Sequence, residues 1–216
     1  IEGSGYASVI AQLIMSLLSI YYLLVKTTFS LKVSLTLNKE IKTFSLMILN
    51  LFVRTLALNI TLYYASAFST SYGKEYIAAY TIAINLWFLG AFIIDGYSSA
   101  GNILSGKLFG QENYQALLRL SSKLIKYGII LGISMAIIGG LFYEIIGTVF
   151  TKDPKVLHEF YQVFWIILLM QPLCALAFIF DGVFKGLGKM KYLRNVLLFS
   201  TFMVFLPLLF WLDSMN

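Results

Sequence analysis

The chain is 216 residues long, 59% of them hydrophobic and only 12% charged, whereas soluble domains run at about 45–50% and about 25%. Together with a mean hydropathy of +0.83, that composition excludes a water-soluble core and predicts an all-α, polytopic membrane protein. The formal charge of +6 is spread through the connections between apolar segments and forms no patch of its own, which argues against a nucleic-acid partner.

Six apolar segments follow in order, roughly 5–25, 43–67, 76–106, 122–150, 157–181 and 193–212. Each is near or above the roughly 20 residues that cross about 30 Å of hydrocarbon. The chain starts at Ile1 without a Met or a signal-peptide pattern and stops at Asn216 just after the last segment, so a piece of a longer protein is expected. Segment one is followed by the connection 26–42, with Lys26, Lys32, Lys39 and Lys42. The next connection, 68–75, has only Lys74. The third, 107–121, carries Lys107 and Arg119, with Lys123 and Lys126 opening the following segment. Lys152 and Lys155 lie in or just after 151–156, and Lys185, Lys189, Lys191 and Arg194 in or just after 182–192. Alternate connections thus hold twelve basic residues against three. The positive-inside rule places the basic ones in the cytoplasm, so segments one, three and five run from outside to inside.

Segment two contains Arg54, about eleven residues or ~16 Å from its cytoplasmic start at 1.5 Å per residue. Asn50, Arg54, Ala57 and Thr61 share one helical stripe, expected to face the interior. Segment three changes character along its length. Aromatic and aliphatic residues run to Ile94, followed by Asp95-Gly96, Ser98, Ser99, Gly101, Asn102 and Ser105. A carboxylate in hydrocarbon costs at least about 2.5–3.5 kcal/mol, so an acid there faces a bundle interior and marks a pathway or a structural pair. Asn85, Phe92, Asp95, Ser99, Asn102 and Gly106 recur at helical spacing and predict the wet wall of a cavity. If the hairpin turns near Tyr72, Arg54 and Asp95 differ in depth by about 7.5 Å, a gap a guanidinium arm largely bridges. An Arg54–Asp95 pair is therefore expected, either as a structural clamp or as part of a substrate or ion site.

Segment five opens on Asp153-Pro154, an N-cap followed by proline at the first helical position. Within it, Gln171 is the expected polar contact in the cavity, and Pro172 removes a backbone donor and predicts a kink. Asp181, twenty-four residues into the segment, is expected at the cytoplasmic interface in a structural, helix-end role. Pro207 predicts a kink in segment six. Gly128/Gly132, Gly106/Gly110 and Gly182/Gly186 are small-xxx-small pairs suited to close packing. Phe92-Ile93-Ile94-Asp95-Gly96 is echoed by Phe178-Ile179-Phe180-Asp181-Gly182, a weak sign of an internal repeat.

Several motifs read better as structure than as chemistry. Gly101 to Lys107 spells G-x-x-x-x-G-K, but Leu108 stands where a phosphate loop needs Ser or Thr, and no strand precedes it. Asn59-Ile60-Thr61 is a glycosylation sequon inside a span. His158 stands alone near the outer start of segment five, and Cys174 reads as a small core residue. No metal-ligand cluster and no nucleophile with a base at recognisable spacing is present, so neither an enzyme nor a cofactor is expected.

Arg54-Thr55 with Asn59, Ile77-Ala78-Ala79 through Asn85, Asp95-Gly96, Gly106, Leu108-Phe109-Gly110, Asp181 to Gly186 and Arg194-Asn195 occur in an order that resembles a known family. The chain is similar over its whole length to the carboxyl-terminal half of a MATE (multidrug and toxic compound extrusion) transporter, nearest the DinF-like branch. The resemblance implies an incomplete twelve-helix transporter of two lobes. Residues 1–25 would be the last helix of the amino-terminal lobe, 26–42 a cytoplasmic inter-lobe linker, and 43–216 five helices of the second lobe. It further implies a multi-pass protein of the plasma (inner) membrane, monomeric at full length. Such a protein exports small amphipathic or cationic compounds in exchange for protons or sodium by alternating access. The branch's coupling carboxylate lies in a first helix outside this chain, so the ion site is expected beyond it. The candidate pathway residues are Asn50, Arg54, Thr61, Asn85, Asp95, Ser99, Asn102 and Gln171, with Asp181, Gly182, Gly186 and Pro172 as structural positions. Two other readings are a lipid-linked saccharide flippase, which requires several basic residues in its cavity, and a membrane scaffold, which needs no polar stripes.

Overall fold

A computed structural model describes residues 2–26 and 39–214. Its helices are α1 (Glu2–Lys26), α2 (Lys39–Ser71), α3 (Lys74–Gly110), α4 (Tyr114–Leu141), α5 (Tyr143–Phe150), α6 (Pro154–Gly186), α7 (Met190–Phe199) and α8 (Leu206–Asp213), the last two joined by a π-helical stretch, Ser200–Phe205. No strand occurs among the described residues. Six helical spans are long and apolar enough to cross a membrane: Gly5–Lys26, Ile41–Ser71, Lys74–Gly110, Tyr114–Leu141, Pro154–Gly186 and Met190–Asp213. The chain divides into two compact units, residues 1–41 and 42–216. Most of the expected linker 26–42, Lys32 included, lies outside the described residues. In the first unit, α1 is an apolar helix exposed along nearly all its length.

The second unit is built on α3, α4 and α6, which pack closely. At one end Ala79 and Ala83 of α3 meet Phe160, Phe164 and Leu168 of α6, and at the other Leu124 of α4 meets Ile179 and Val183. The glycines explain how the backbones approach. A Cβ on Gly132 would stand 2.8 Å from Cα of Pro172 and 2.9 Å from the Gln171 carbonyl, and one on Gly128 would overlap the Ile179 side chain. The expected Gly128/Gly132 pair is thus an α4–α6 contact. Gly182 and Gly186 sit against Ser98 and Asn102 of α3, and Gly106 lies beside Gly186. Gly110 meets nothing within 4 Å, so the expected Gly106/Gly110 pair is used at one position only.

Three local features differ from the sequence reading or sharpen it. The apolar run 122–150 is not one helix, because the chain breaks at Phe142 into α4 and the short α5. Leu168 fills the space beside Gly139, and the Tyr161 ring fills that beside Gly147, so the break seats two α6 side chains. Asp153 caps α6 as expected, its side chain accepting from the Lys155 N–H at 2.9 Å with Pro154 in the first turn. Pro172 stays inside a continuous α6. Pro207 instead is the second residue after the π-helical stretch. A proline ring collides with the carbonyl four residues back, here that of Met203, and a widened π turn makes room for it.

α2 stands apart from α3 and α6, with little close backbone packing, and is tied in through long side chains. Its Thr61 hydroxyl meets that of Thr201 at 3.1 Å. Tyr64 and Phe68 pack edge-on against Phe210, with ring centroids 6.0 and 5.8 Å apart.

Candidate functional site

The gap between α2 and the α3–α6 pair is a cavity of about 490 Å³. Its wall is almost wholly apolar, from Leu58 and Leu62 of α2, Ala83 and Trp87 of α3, and Val163 and Ile167 of α6. Thr61, Tyr80 and Glu159 are among the few polar side chains on it. A volume of about 300–1,000 Å³ with few polar groups is the usual form of a small-molecule site.

An ion pair spans α2 and α6 one turn from Leu58. Nη2 of Arg54 lies 2.7 Å from Oδ1 of Asp181, and Nζ of Lys185 lies 2.5 Å from Oδ2 of the same carboxylate. Asp181 is buried, with 10% of its side chain exposed, while Arg54 and Lys185 keep 23% and 28%. One turn back on α2, Oδ1 of Asn50 accepts from Nη1 of Arg194 at 2.7 Å, and both Nε and Nη2 of Arg194 donate to Oδ1 of Asn195. The six polar side chains come from three elements, and they bridge α2 to α6 and α7 where the backbones pack little.

The expected Arg54–Asp95 pair is not formed. The guanidinium goes to Asp181, and Asp95, half-buried on α3, has no ion pair among the described residues. α2 runs from Lys39 to Ser71, which keeps Arg54 at the middle of its helix, as expected, whereas its partner Asp181 lies five residues from the end of α6. The two helices are offset along their axes, and α6 rather than α3 brings the carboxylate to Arg54. Asp181 is also more than a helix end, since it is the shared anion of two cations from two helices.

The α3 stripe divides as well. Asn85, Phe92 and Ser99 are exposed, and Asn85 donates to the Thr81 carbonyl at 2.7 Å within its own helix. Asn102 and Gly106 border α6 at Gly186. The packed face of α3 is instead Ala83, Gly90, Ile94, Ser98, Gly101 and Ser105, offset from the polar stripe by part of a turn. Gln171 is buried against Gly90 and Met135, between α3, α4 and α6. Thr61 lines the cavity. In the sequence Lys185 and Arg194 stand only as loop charges and family-motif residues, not as site candidates, and Thr201 does not stand out at all. Lys185 carries a pairing signal, because a cation four residues after an acid on a helix is a natural partner, whereas the partner of Arg194 has no local signal.

Gly101–Lys107 lies within α3, where Gly101 packs on Leu124. Asn59 lies in α2 and donates to the Thr55 carbonyl. Cys174 is half-buried and accepts from Nε1 of Trp87 at 3.4 Å. Among the described residues no group of three or more His, Cys, Asp or Glu side chains is placed to hold a metal.

An all-helical, multi-pass membrane protein with a side-chain-bridged cavity between its helices is the class this fold defines. The chain belongs to the MatE family, whose model matches residues 47–211. It is 29% identical over 160 residues to Protein DETOXIFICATION 42 of Arabidopsis thaliana, covering 74% of this chain and 31% of that protein. With Protein DETOXIFICATION 45, chloroplastic, of the same plant the identity is 28% over 159 residues, 71% of this chain and 28% of the relative. The chain thus spans about a third or less of these relatives' length. A solved structure of a multidrug resistance MATE family transporter of the MOP superfamily, in its outward-facing conformation, superposes with a TM-score of 0.81 at 20% identity. The match covers 93% of this chain and 46% of that one.

Proposed function

We propose that this chain forms part of a secondary transporter of the DinF-like branch that exports small amphipathic compounds by alternating access, in exchange for protons or sodium. The observation that carries the reading is Asp181, a buried carboxylate held between Arg54 of α2 and Lys185 of α6 at the edge of an apolar cavity. A ligand drives alternating access only through different affinities for two states. A carboxylate with two exchangeable partners, one on a helix that packs loosely against the others, provides such a difference. Opening α2 away from α6 releases Asp181 from Arg54 and leaves it with Lys185.

In this reading α2 to α8 belong to one lobe, a second lobe precedes them in the full-length protein, and the basic connections face the cytoplasm of a cell whose plasma membrane holds the protein as a monomer. Full-length protein in proteoliposomes should extrude ethidium when a proton or sodium gradient is imposed, and Asp181→Asn should uncouple efflux from the gradient. Efflux that ignores both gradients in the unmodified protein rejects antiport. Orientation is tested separately. In intact cells an impermeant maleimide should label a cysteine placed at Lys74 and spare one placed at Lys189; the reverse pattern inverts the topology.

A flippase for lipid-linked saccharides is the second reading. It gains from one observation, that Arg54, Lys185 and Arg194 gather where the sequence offered Arg54 alone.

A further inference from the structure

The cations around Asp181 outnumber the acids that serve them. Arg54 and Lys185 share one carboxylate. Arg194 donates all its assigned hydrogen bonds to neutral amides, Oδ1 of Asn50 at 2.7 Å and Oδ1 of Asn195 at 3.1 and 2.8 Å, and has no ion pair among the described residues. Asn50 is one turn from Arg54 on α2, about 6 Å along the axis, so the three cations form one cluster. Counting half-buried Asp95 of α3 together with Asp181 of α6 still leaves three cations to two acids.

Partly buried positive charge without a counter-charge is costly beside hydrocarbon. A planar guanidinium resting on neutral amides is also preorganised for a two-oxygen anion, which it binds through paired N–H donors. A site built for an organic cation would carry the opposite imbalance.

We propose that Asn50, Arg54, Lys185 and Arg194 form an anion site where the middle of α2 meets the basic-loop ends of α6 and α7, and that it takes a carboxylate or phosphate group. Arg194 supplies the charge no protein acid neutralises, and Asn50 orients its guanidinium. The anion comes from one of two sources, a dissolved organic acid or the headgroup of an acidic phospholipid. The site requires no transport step, so its test is independent of the coupled export proposed above.

Full-length protein in phosphatidylcholine nanodiscs should bind carboxyfluorescein, followed by anisotropy, or retain phosphatidylglycerol, followed by native mass spectrometry. Arg194→Gln should weaken that binding about tenfold or more, the loss of one charge-assisted contact, and Arg194→Lys should recover part of it. Ethidium binding should not change in either variant. Asn50→Asp gives Arg194 a carboxylate within the protein and should abolish anion binding while the melting temperature holds or rises. Carboxyfluorescein bound in the phosphatidylcholine discs and not displaced by phosphatidylglycerol identifies a dissolved acid, and displacement identifies the lipid head. Dye affinity and lipid retention both unchanged in Arg194→Gln, or anion binding that survives Asn50→Asp, overturn the proposal and leave Arg194 as an interfacial cation.

Discussion

Asp181→Leu lowers the melting temperature of the full-length protein, and adding Arg54→Leu restores most of the loss. The single change strands a guanidinium that is less than a quarter exposed beside an apolar wall. Removing one partner of a buried pair costs about 3–5 kcal/mol, and the residual exposure of Arg54 places the value toward the lower end. Lys185 contributes less, because it lies in the last turn of α6 and its flexible stem carries the ammonium out to water. The double change replaces the pair with two apolar side chains and leaves no stranded charge, a swap that is often neutral or stabilising in buried settings. Melting curves of the four proteins form a cycle in which the coupling between positions 54 and 181 is read directly. Equal losses for both single variants, adding up in the double, would show that the bridge contributes nothing to stability. Export assayed on the same four proteins separates structure from function: the double variant should be stable and inactive if Asp181 exchanges partners during transport, and active if the pair only fastens α2 to α6.

The broad fold was legible because bilayer physics leaves so few solutions. Backbone groups in hydrocarbon must be satisfied within a helix, and segments of the required length announce themselves by composition, so five of the six spans fall where hydropathy places them, while the fourth, expected at 122–150, is Tyr114–Leu141. The Asp153-Pro154 start of α6 was equally readable, since capping is decided by adjacent residues. Rotation about a helix axis is harder to read. In a soluble helix polarity marks the outward face, but in a membrane helix both lipid-facing and interior surfaces are apolar. The stripe through Asn85, Asp95 and Asn102, expected as the wet wall of a cavity, is therefore not the packed face of α3, which small residues mark instead. Ser98, Gly101 and Ser105 stand out in sequence only as part of a small, polar run, and with Gly90 they become decisive beside Gln171, Gly182, Leu124 and Gly186.

The pairing of Arg54 failed for a related reason. Axial counting from a guessed helix start carries an error of several residues, and each residue is about 1.5 Å of depth. Asp95 and Asp181 occupy the same place in the repeated Ile-Asp-Gly and Phe-Asp-Gly motifs, and depth alone does not separate them. The choice between them is made by which helix leans toward α2. That depends on the tight α3–α6 seam and on the side chains of α7 and α8 that hold α2 at a distance, none of which is a local property of the chain.

Gly182→Ala should destabilise the protein by about 1–3 kcal/mol or more, the usual cost of overpacking, and Gly182→Leu should prevent folded protein from accumulating. A Cβ at this position would stand 2.5 Å from the Ser98 carbonyl oxygen and 3.1 Å from its carbon. Those are backbone atoms of α3, and no rotamer change moves them. Relief comes only if α3 and α6 separate, which also strains the 2.5 Å hydrogen bond from the Ser98 hydroxyl to the Phe178 carbonyl and the neighbouring approach of Gly186 to Gly106. The seam carries Asp181 on its next residue, so a shift of α6 also misplaces the carboxylate that Arg54 meets. Gly96→Ala and Gly110→Ala are the matched controls. Nothing lies within 4 Å of either position, and alanine in a helix is favoured over glycine by roughly 0.5–1 kcal/mol. Melting temperatures of the three alanine variants should therefore diverge, with the two controls level with or above the unmodified protein and Gly182→Ala clearly below it. A Gly182→Ala variant that melts with the controls would mean that α3 and α6 do not approach as closely as their glycines indicate, and the placement of Asp181 would have to be revised with them.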